Sequence, residues 1–225
     1  MPYKRRRHYM KVELVSLTKP IIEGVDSAED LIAYCARVSN PGNQINSASA
    51  PGLLRYLIKN KHWSPFEMVS MCVSIETSRA MAQQILRHRS FSFQEFSQRY
   101  ASVAELEDIL EDFEIRMKAD TNRQSSSEVT HLWDKDIQAT LEQNVKMYNY
   151  LVEQGVATET ARFILPLTTK TKLYMNGTLR SWVHYLDLRC DEHTQKEHRL
   201  VANQVKNIVE QHFPTVYEAI YGDKD

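Results

Sequence analysis

Glycine is scarce in this chain. Only 6 of its 225 residues are glycine, and they form no Gly-x-Gly-x-x-Gly sequence. A Rossmann dinucleotide site uses that motif to bring backbone N–H groups close to a pyrophosphate. The sequence therefore excludes a Rossmann site, and any phosphate that the protein binds must be held by side chains.

Cysteine is scarce as well. Cys35, Cys72 and Cys190 are widely spaced, odd in number and form no Cys-x-x-Cys pair, which predicts free thiols in a reducing compartment. No apolar run is long enough to cross a bilayer. The basic start, MPYKRRRHYMKVELV, is not followed by the apolar stretch and cleavage site of a secretory signal. We therefore expect a cytoplasmic protein.

An excess of positive charge is also missing. The formal net charge is -1, whereas proteins that coat nucleic acid usually carry a clear positive excess. The net charge therefore does not favour a nucleic-acid partner, and the basic residues matter only locally. Hydrophobic residues make up 42% of the chain and charged residues 25%, as in an ordinary globular protein.

Hydrophobic periodicity predicts a chain that is richer in helix than in strand. Strands are predicted at 10–16, 68–76 and 169–175, with a turn at Asn176-Gly177. Helices are predicted after a Ser27–Asp30 start and at 51–62, 78–88, 136–155, 158–165 and 178–189, and a last one runs through Leu200 to Pro214. The strand at 68–76 should bury Val69, Met71, Val73 and Ile75, and the helix at 136–155 should bury Ile137, Leu141, Val145, Tyr148 and Val152.

These elements indicate the α+β class, with a mixed sheet covered by helices. We expect residues 1–225 to form a single domain. Residues 1–9 would be a solvated basic arm, and residues 101–130, which are acidic and then polar, would be a flexible loop.

The segment QQILRHRSFSFQEFSQRY places three basic residues, Arg87-His88-Arg89, at the predicted end of a helix. Basic residues at a helix C-terminus are favoured by the helix dipole, so a charged helix end is one interpretation. If the following residues are extended, Phe93, Glu95, Ser97 and Arg99 point to one side, and Phe96 and Tyr100 anchor in a core on the other. Arginine forks bind phosphate oxygens in pairs, so this face suits a nucleotide. If the segment is helical, Glu95 and Arg99 are only an i,i+4 ion pair.

A second basic set lies later in the chain. Arg180 and His184 share the polar face of a predicted helix, and Arg189 lies just past its end. Arg162 lies on the short helix before Leu165-Pro166-Leu167. A histidine on a helix is more often structural than functional, and Arg162 could equally cap a neighbouring carboxylate, so each residue alone is weak evidence.

Together these residues resemble the signature of the flavin-dependent thymidylate synthases. That signature is Arg-His-Arg, seven residues and Ser, here Arg87-His88-Arg89 and Ser97. Four further segments resemble the family in the same order along the chain: CARVS, HWSPFE, ARFILPL and GTLRSWVHYLDLR. The resemblance spans Cys35 to Arg189, which is most of the chain.

The resemblance implies a reductive methylation of dUMP to dTMP. In this family methylenetetrahydrofolate donates the carbon, reduced FAD is the hydride donor and NADPH is the reductant. The family also implies a homotetramer whose active sites lie at subunit interfaces. No protein nucleophile is needed in this chemistry, which agrees with the interpretation of the three cysteines as free thiols.

The family's site residues carry over by position. Its cofactor-binding positions match Ser64, Arg87, His88, Arg89, Glu95, Thr178, Arg180 and His184. Its substrate-binding positions match Gln84, Arg87, Glu95, Ser97, Gln98, Arg99, Arg162 and Arg189. Arg189 corresponds to the arginine at the uracil edge, where a fixed cation would stabilise negative charge on the ring. Two positions depart from the pattern: Thr178 stands where some members have Asn, and Met68, in the segment that contains His62, stands where some have His.

Three alternatives use other features of the sequence. A nucleic-acid binder would use Lys4-Arg5-Arg6-Arg7-His8 together with the basic and aromatic cluster at 87–100. A metal hydrolase would use His193 and His198, but these are five residues apart and no His-Glu-x-x-His motif is present. A serine hydrolase would use Ser97, which lacks the glycine-flanked elbow of such nucleophiles. No metal site is therefore predicted.

Overall fold

The computed structural model describes residues 10–101, 109–120 and 126–222. Its strands form a four-stranded sheet in the order β1-β2-β6-β3 and a two-stranded sheet, β4-β5. The strands are β1 (Lys11–Leu17), β2 (Ser70–Ser78), β3 (Ser92–Glu95), β4 (Arg116–Lys118), β5 (Ser126–Val129) and β6 (Lys170–Thr178). The helices are α1 (Ala28–Ala36), α2 (Ala50–Lys59), α3 (Arg79–Ile85), α4 (Asp134–Glu153), α5 (Thr158–Ala161), α6 (Leu179–Arg189), α7 (Lys196–His212) and α8 (Pro214–Tyr221).

The α+β class is confirmed, since both sheets and helices are present. A single domain was expected, and the structure divides the chain into two compact units. Among the described residues, the first unit holds 10–11, Glu76–Arg87, 94–101, 109–120 and 126–173, and the second holds Val12–Ile75, His88–Phe93 and 174–222. The predicted basic arm at 1–9 lies outside the described residues. None of the described helices has the length and apolar character needed to cross a membrane.

The second unit contains the larger core, and local sequence signals predict much of it. Met71, Val73 and Ile75 of β2 are fully buried, as their alternation predicts. Ser74, which points to the other face, is also buried, so this part of β2 is covered on both sides. The predicted helix start is confirmed, because Ser27 and Asp30 form a capping box at the start of α1.

The predicted turn at Asn176-Gly177 is wrong. Both residues lie inside β6, and Gly177 is buried there. A Cβ atom at Gly177 would lie 2.6 Å from Cε1 of Phe91, a distance that real Cβ contacts do not show. The glycine is therefore required by the close approach of an aromatic ring to a strand, and no turn is involved.

The C-terminal segment also differs from the prediction. The last predicted helix corresponds to α7, but Pro214 begins a further helix, α8, because proline is well tolerated at the first position of a helix. Val201, Val205 and Val209 are buried as predicted, whereas Leu200 is exposed.

The first unit is built around α4. Tyr148 of α4 and Ala161 of α5 form its buried cluster, and Phe96, Leu151 and Val152 pack against them. Of the five apolar residues predicted to be buried on α4, only Tyr148 is fully buried. The remaining apolar face of α4 is therefore partly accessible in the single chain.

The region predicted as a flexible loop contains ordered elements. Its described parts include β4 and β5, which pair antiparallel, and a bridge between Leu110 and Thr169. Residues 102–108 and 121–125 lie outside the described residues, so the loop remains a prediction for those stretches.

Candidate active site

A cavity of about 540 Å³ lies in the second unit, beside the N-terminal half of α6. Trp63 and Val183 supply apolar surface, and Arg180 and His184 supply nitrogen groups. Arg180 and His184 are one helical turn apart on α6 and both are exposed, so the predicted polar face of this helix is the face that lines the cavity. Glu67 and Asp187 add two carboxylates to the lining.

The packing of α6 fixes the direction of this polar face. Trp182 is fully buried and donates a hydrogen bond from Nε1 to the Met71 carbonyl across 3.0 Å. The backbone N–H of Leu179 donates to the Val69 carbonyl across 2.8 Å. Because these bonds anchor α6 to β2 and to Val69 just before it, residues on the opposite face of α6 are held toward the cavity.

Arg180 forms an ion pair with Glu67 in this cavity. Its Nη1 atom lies 2.6 Å from Oε1 of Glu67, and both side chains are about half exposed. An exposed pair of this kind contributes little to folding stability. It holds the Arg180 guanidinium at the wall of the cavity, where it can also bind an anionic ligand.

Two other predicted cofactor residues lie in the second unit. Thr178 is the N-cap of α6, and its Oγ1 accepts a hydrogen bond from the Ser181 N–H across 3.3 Å. Its side chain therefore has a structural task, whatever ligand it contacts. Ser64 begins a short 3-10 helix, Ser64–Met68, and is exposed. His62, whose role was left open, packs edge-on against the ring of Tyr56.

His88 and Arg189 are in direct contact. Arg189 is the last residue of α6, and its Nε donates a hydrogen bond to Nε2 of His88 across 2.9 Å. Since an arginine stays protonated, Nε2 of His88 must be the unprotonated nitrogen, and the ring is neutral. Burial, the Arg189 charge and His184 together lower the pKa of His88 to about 4, which agrees with this geometry.

Behind His88 lies a second buried histidine, His198. Its Nε2 lies 3.2 Å from the Tyr185 hydroxyl, and both residues are fully buried. Burial, Arg189 and His88 lower the pKa of His198 to about 3, so its ring is neutral at physiological pH. Burial raises the pKa of Tyr185, so its hydroxyl keeps its proton.

Arg87 and Arg89 flank His88, and both are exposed. Within the described parts of the chain, neither guanidinium has a hydrogen-bond or ion-pair partner. Arg87 belongs to the first unit and Arg89 to the second. Helix α3 was predicted to run to His88 but ends at Ile85, so the three basic residues follow the helix. Two cations without a protein partner are available to bind phosphate oxygens.

In the first unit, Glu95 binds protein groups. Its Oε1 accepts hydrogen bonds from the Arg79 guanidinium and from Oγ1 of Thr171, the latter across 3.0 Å. The alternative in which Glu95 pairs with Arg99 on a helix is therefore wrong. A ligand at Glu95 would have to use its other oxygen or displace one of these partners.

The extended face predicted for residues 93–99 ends early. Strand β3 stops at Glu95, and the carbonyl of Ser97 accepts from the backbone N–H groups of Tyr100 and Ala101 in a turn. Tyr100 was predicted to anchor in a core and is instead 94% exposed. The turn replaces the strand, so Ser97 and Arg99 do not continue the face of Glu95.

Gln98 is the buried polar residue of this turn. Its side chain is 7% exposed, and its Nε2 has no hydrogen-bond partner among the described residues. A buried amide donor without a partner costs roughly 1–3 kcal/mol. Such a donor is typical of a site whose partner is a ligand, which agrees with the predicted substrate role of Gln98.

Arg99 and Arg162 are the other arginines of the first unit's predicted substrate site. Arg99 lies 3.5 Å from Glu159 in an exposed ion pair. Arg162 donates from Nε to the Glu159 carbonyl across 3.3 Å, and its guanidinium lies over the ring of Phe163. Both arginines are therefore held near α5. Gln84 lies on α3 in the same unit.

The metal-hydrolase alternative gains no support. It required His193 and His198 together, but His193 is exposed and bonds to Asp191, whereas His198 is buried against Tyr185. Within residues 10–101, 109–120 and 126–222, no three His, Cys, Asp or Glu side chains are placed to hold a metal ion.

The cysteines have the predicted state. Cys35, Cys72 and Cys190 are free thiols. Burial raises the pKa of each one, which favours the thiol over the nucleophilic thiolate.

Four residues that shape these sites could not be given these roles from the sequence. Trp63 and Glu67 line the cavity, and Tyr185 and His198 support His88. One signal for His198 was present: it precedes Val201 and Val205 by three and seven residues, so it falls on the apolar stripe of α7. A histidine on such a stripe is buried, but its partner on α6 cannot be identified from spacing.

Known proteins match this chain over nearly its whole length. A family model of the thymidylate synthase complementing proteins matches residues 20–215. A probable flavin-dependent thymidylate synthase of Paramecium bursaria Chlorella virus 1 is 48% identical over 216 residues, covering 94% of this chain and 99% of the relative. A flavin-dependent thymidylate synthase of Synechocystis sp. is 49% identical over 219 residues, covering 94% of this chain and 99% of the relative.

A solved structure is similar to the fold as a whole. It is the crystal structure of a UMP/dUMP methylase, PolB, from Streptomyces cacaoi, bound with 5-Br dUMP. The TM-score is 0.78 at 27% sequence identity, and the match covers 93% of this chain and 94% of that chain. The described fold is therefore shared with a protein that methylates a pyrimidine nucleotide.

Proposed function

The chain belongs to the thymidylate synthase complementing proteins, the family of the flavin-dependent thymidylate synthases, and we propose that it converts dUMP to dTMP with FAD as its cofactor. The observation that carries this proposal is the identity of nearly half of all residues with two such enzymes over almost their full length. The enzyme is thus a methyltransferase of the flavin-dependent class.

The proposal includes two co-substrates, an assembly and a location. Methylenetetrahydrofolate would donate the carbon, and NADPH would be the reductant. A homotetramer would bury the apolar side chains that α4 leaves accessible in one chain, such as Met147 and Tyr150. The three free thiols would stay reduced in the cytoplasm.

The residues of the second unit fit FAD. The cavity of about 540 Å³ has the size of known small-molecule sites. Trp63 and Val183 would pack against the flavin rings, and Arg180 would bind a phosphate or carbonyl oxygen. Ser64, Thr178 and His184 would add further contacts. FAD supplies the hydride chemistry when it is bound.

Seven residues of the first unit would bind dUMP. The Arg87 guanidinium has no partner among the described residues and would bind phosphate, with Arg89 contributing to the flavin site. The unpaired Nε2 of Gln98 would donate to a nucleotide oxygen. Arg99 and Arg162, which already lie beside Glu159, would add charge. Gln84, Glu95 and Ser97 complete the proposed set.

Arg189 would be the catalytic residue. Its guanidinium is held by the neutral ring of His88, so its position is fixed before substrate binds. At the uracil edge it would stabilise negative charge that develops on the ring, without any reorganisation during the reaction.

A turnover assay tests the proposed function. Purified protein is supplied with dUMP, methylenetetrahydrofolate, NADPH and FAD, and dTMP is measured by chromatography. We expect dTMP that depends on each component, and four reactions that each omit one of them are the controls. No dTMP in the complete mixture, from protein that retains its fold, would contradict the proposal.

A further inference from the structure

We propose that His198 is a positioning residue for the His88–Arg189 pair and acts through Tyr185. The inference rests on the proposed function, because Arg189 has a catalytic role only if a pyrimidine binds beside it. None of the family's cofactor-binding or substrate-binding positions corresponds to His198 or Tyr185.

The arrangement is a clamp built on one helix. Tyr185 and Arg189 are four residues apart on α6, so they lie on the same side of it. The ring of Tyr185 meets the ring of His88 edge-on with centroids 4.9 Å apart, and Arg189 donates to Nε2 of the same ring across 2.9 Å. His88 is therefore held from two directions by one turn of α6.

His198 fixes the Tyr185 side of this clamp. It belongs to a different helix, α7, and bonds to the Tyr185 hydroxyl across 3.2 Å with both side chains fully buried. Its ring also lies perpendicular to the ring of His88, with centroids 6.0 Å apart. A buried hydrogen bond between two helices sets the height and tilt of the Tyr185 ring, and that ring sets the plane of His88.

The charge state of the cluster supports a single fixed cation. His198 is fully buried, and its burial together with the Arg189 charge opposes its protonation. Arg189 similarly opposes protonation of His88, since its Nε–H requires the lone pair on Nε2. With both imidazoles neutral, Arg189 is the only charged member of the cluster formed by His88, Tyr185, His198 and Arg189.

A purely structural role of His198 must be distinguished from the positioning role. A buried histidine could serve only to fill the core between α6 and α7. In that case its replacement would lower stability and leave the turnover of the folded protein unchanged. Under our proposal, turnover falls in protein that is folded and still binds FAD, because Arg189 is no longer held in one direction.

The test uses variants that change one part of the clamp at a time. Tyr185→Phe keeps the ring and removes only the hydroxyl, His198→Leu removes the imidazole, and His198→Gln keeps a polar group that can reach the hydroxyl. His193→Gln is the control, since His193 is exposed and near His198 in sequence. For each variant we would measure kcat, KM for dUMP, FAD content and the thermal midpoint.

We expect kcat to fall by roughly 10-fold or more in Tyr185→Phe and His198→Leu. FAD content should stay at the wild-type level, and His198→Gln should recover part of the loss. The double variant Tyr185→Phe with His198→Leu should have a kcat little lower than that of either single variant, because both changes remove the same hydrogen bond. Wild-type kcat in folded Tyr185→Phe would overturn the proposal, and this variant decides the matter if His198→Leu does not fold.

A spectroscopic readout separates this inference from the proposed function. In protein with ¹⁵N-labelled histidine, the His88 ring should give the two well-separated nitrogen signals of a neutral ring protonated at Nδ1. Those signals should move toward each other in Tyr185→Phe as the ring loses its single orientation. If wild-type protein makes no dTMP, the proposed function fails, and this spectrum still tests the clamp: unchanged His88 signals in both Tyr185→Phe and His198→Leu would overturn it.

Discussion

Arg189 donates a hydrogen bond to His88 across 2.9 Å, although the two residues are 101 positions apart in the chain. The bond requires the neutral form of His88. The Arg87-His88-Arg89 segment therefore has two exposed arginines, and its histidine serves as a hydrogen-bond acceptor for a third arginine, Arg189.

Replacing Arg189 should separate cofactor binding from catalysis. We expect Arg189→Ala to retain FAD and to lose thymidylate formation by roughly 10²–10³-fold, the range for removal of a fixed charge-stabilising donor. Arg189→Lys should recover little, because lysine has no Nε–H in the arginine geometry. The measurements are flavin absorbance and kcat, with Arg199→Ala, whose guanidinium bonds the Glu192 carbonyl, as the control. Wild-type turnover in Arg189→Ala would remove the catalytic role.

Replacing Arg87 should weaken two ligands at once. We expect Arg87→Ala to bind both FAD and dUMP roughly 10-fold less tightly, since one charge-assisted hydrogen bond contributes about 1.5–3 kcal/mol. Calorimetric titration measures both affinities. Arg55→Ala is the matched control, because Arg55 is an exposed arginine paired with Glu218. Unchanged affinity for both ligands would count against the phosphate-binding role of Arg87.

Acidification should destabilise the fold through His198. Burial, Arg189 and His88 lower the pKa of His198 from 6.5 to about 3. A histidine with a depressed pKa stabilises the folded state above pH 6.5, and this stabilisation is lost as the pH falls toward the folded value, because only the unfolded chain takes up the proton. The slope for one histidine is up to about 1.4 kcal/mol per pH unit.

This effect is measured by urea unfolding at several pH values between roughly pH 5 and pH 7. The window brackets the ordinary pKa of histidine, about 6.5. The free energy of unfolding of wild-type protein should fall as the pH is lowered, and that of His198→Gln should fall less steeply. The exposed His193→Gln should keep the wild-type slope. Identical slopes for wild type and His198→Gln would show that His198 is not held neutral by the fold.

A methyl group at Gly177 should destabilise the protein. The added Cβ of Gly177→Ala would lie 2.6 Å from Cε1 of Phe91, whose ring also packs on Trp182 with centroids 4.6 Å apart. Overpacking of this kind costs about 1–3 kcal/mol. Gly52→Ala is the control: Gly52 lies in α2 with open space around its Cβ position, and alanine there should stabilise the helix. Equal thermal midpoints for Gly177→Ala and wild type would contradict the close approach.

Local patterns predicted most of the elements. The alternation in β2 and the Ser27–Asp30 box depend on neighbours within a few residues, so the sequence alone reveals them. The turn predicted at Asn176-Gly177 is wrong because this glycine is required by the close approach of the Phe91 ring, which is distant in the sequence. Helix α8 was missed because a proline that ends one helix can also begin the next.

In the candidate site, too, local sequence identifies individual residues but not their distant partners. The family motif identified Arg180, His88 and Arg189 by position, but their partners are far away in the chain: Glu67 is 113 residues from Arg180. Tyr185 lies in the GTLRSWVHYLDLR segment but matches none of the family's site positions, and His198 lies on the apolar stripe of α7, so neither position reveals that the two side chains pair. Long-range pairing of this kind needs the folded chain.

The most direct test of the central claim is the visible absorption spectrum of the purified protein with FAD, recorded before and after dUMP is added. We expect the spectrum of bound flavin, and we expect dUMP to shift it, because the reaction requires the nucleotide to reach the flavin. A protein that leaves added FAD in its free form, or whose bound flavin does not respond to dUMP, would contradict the account.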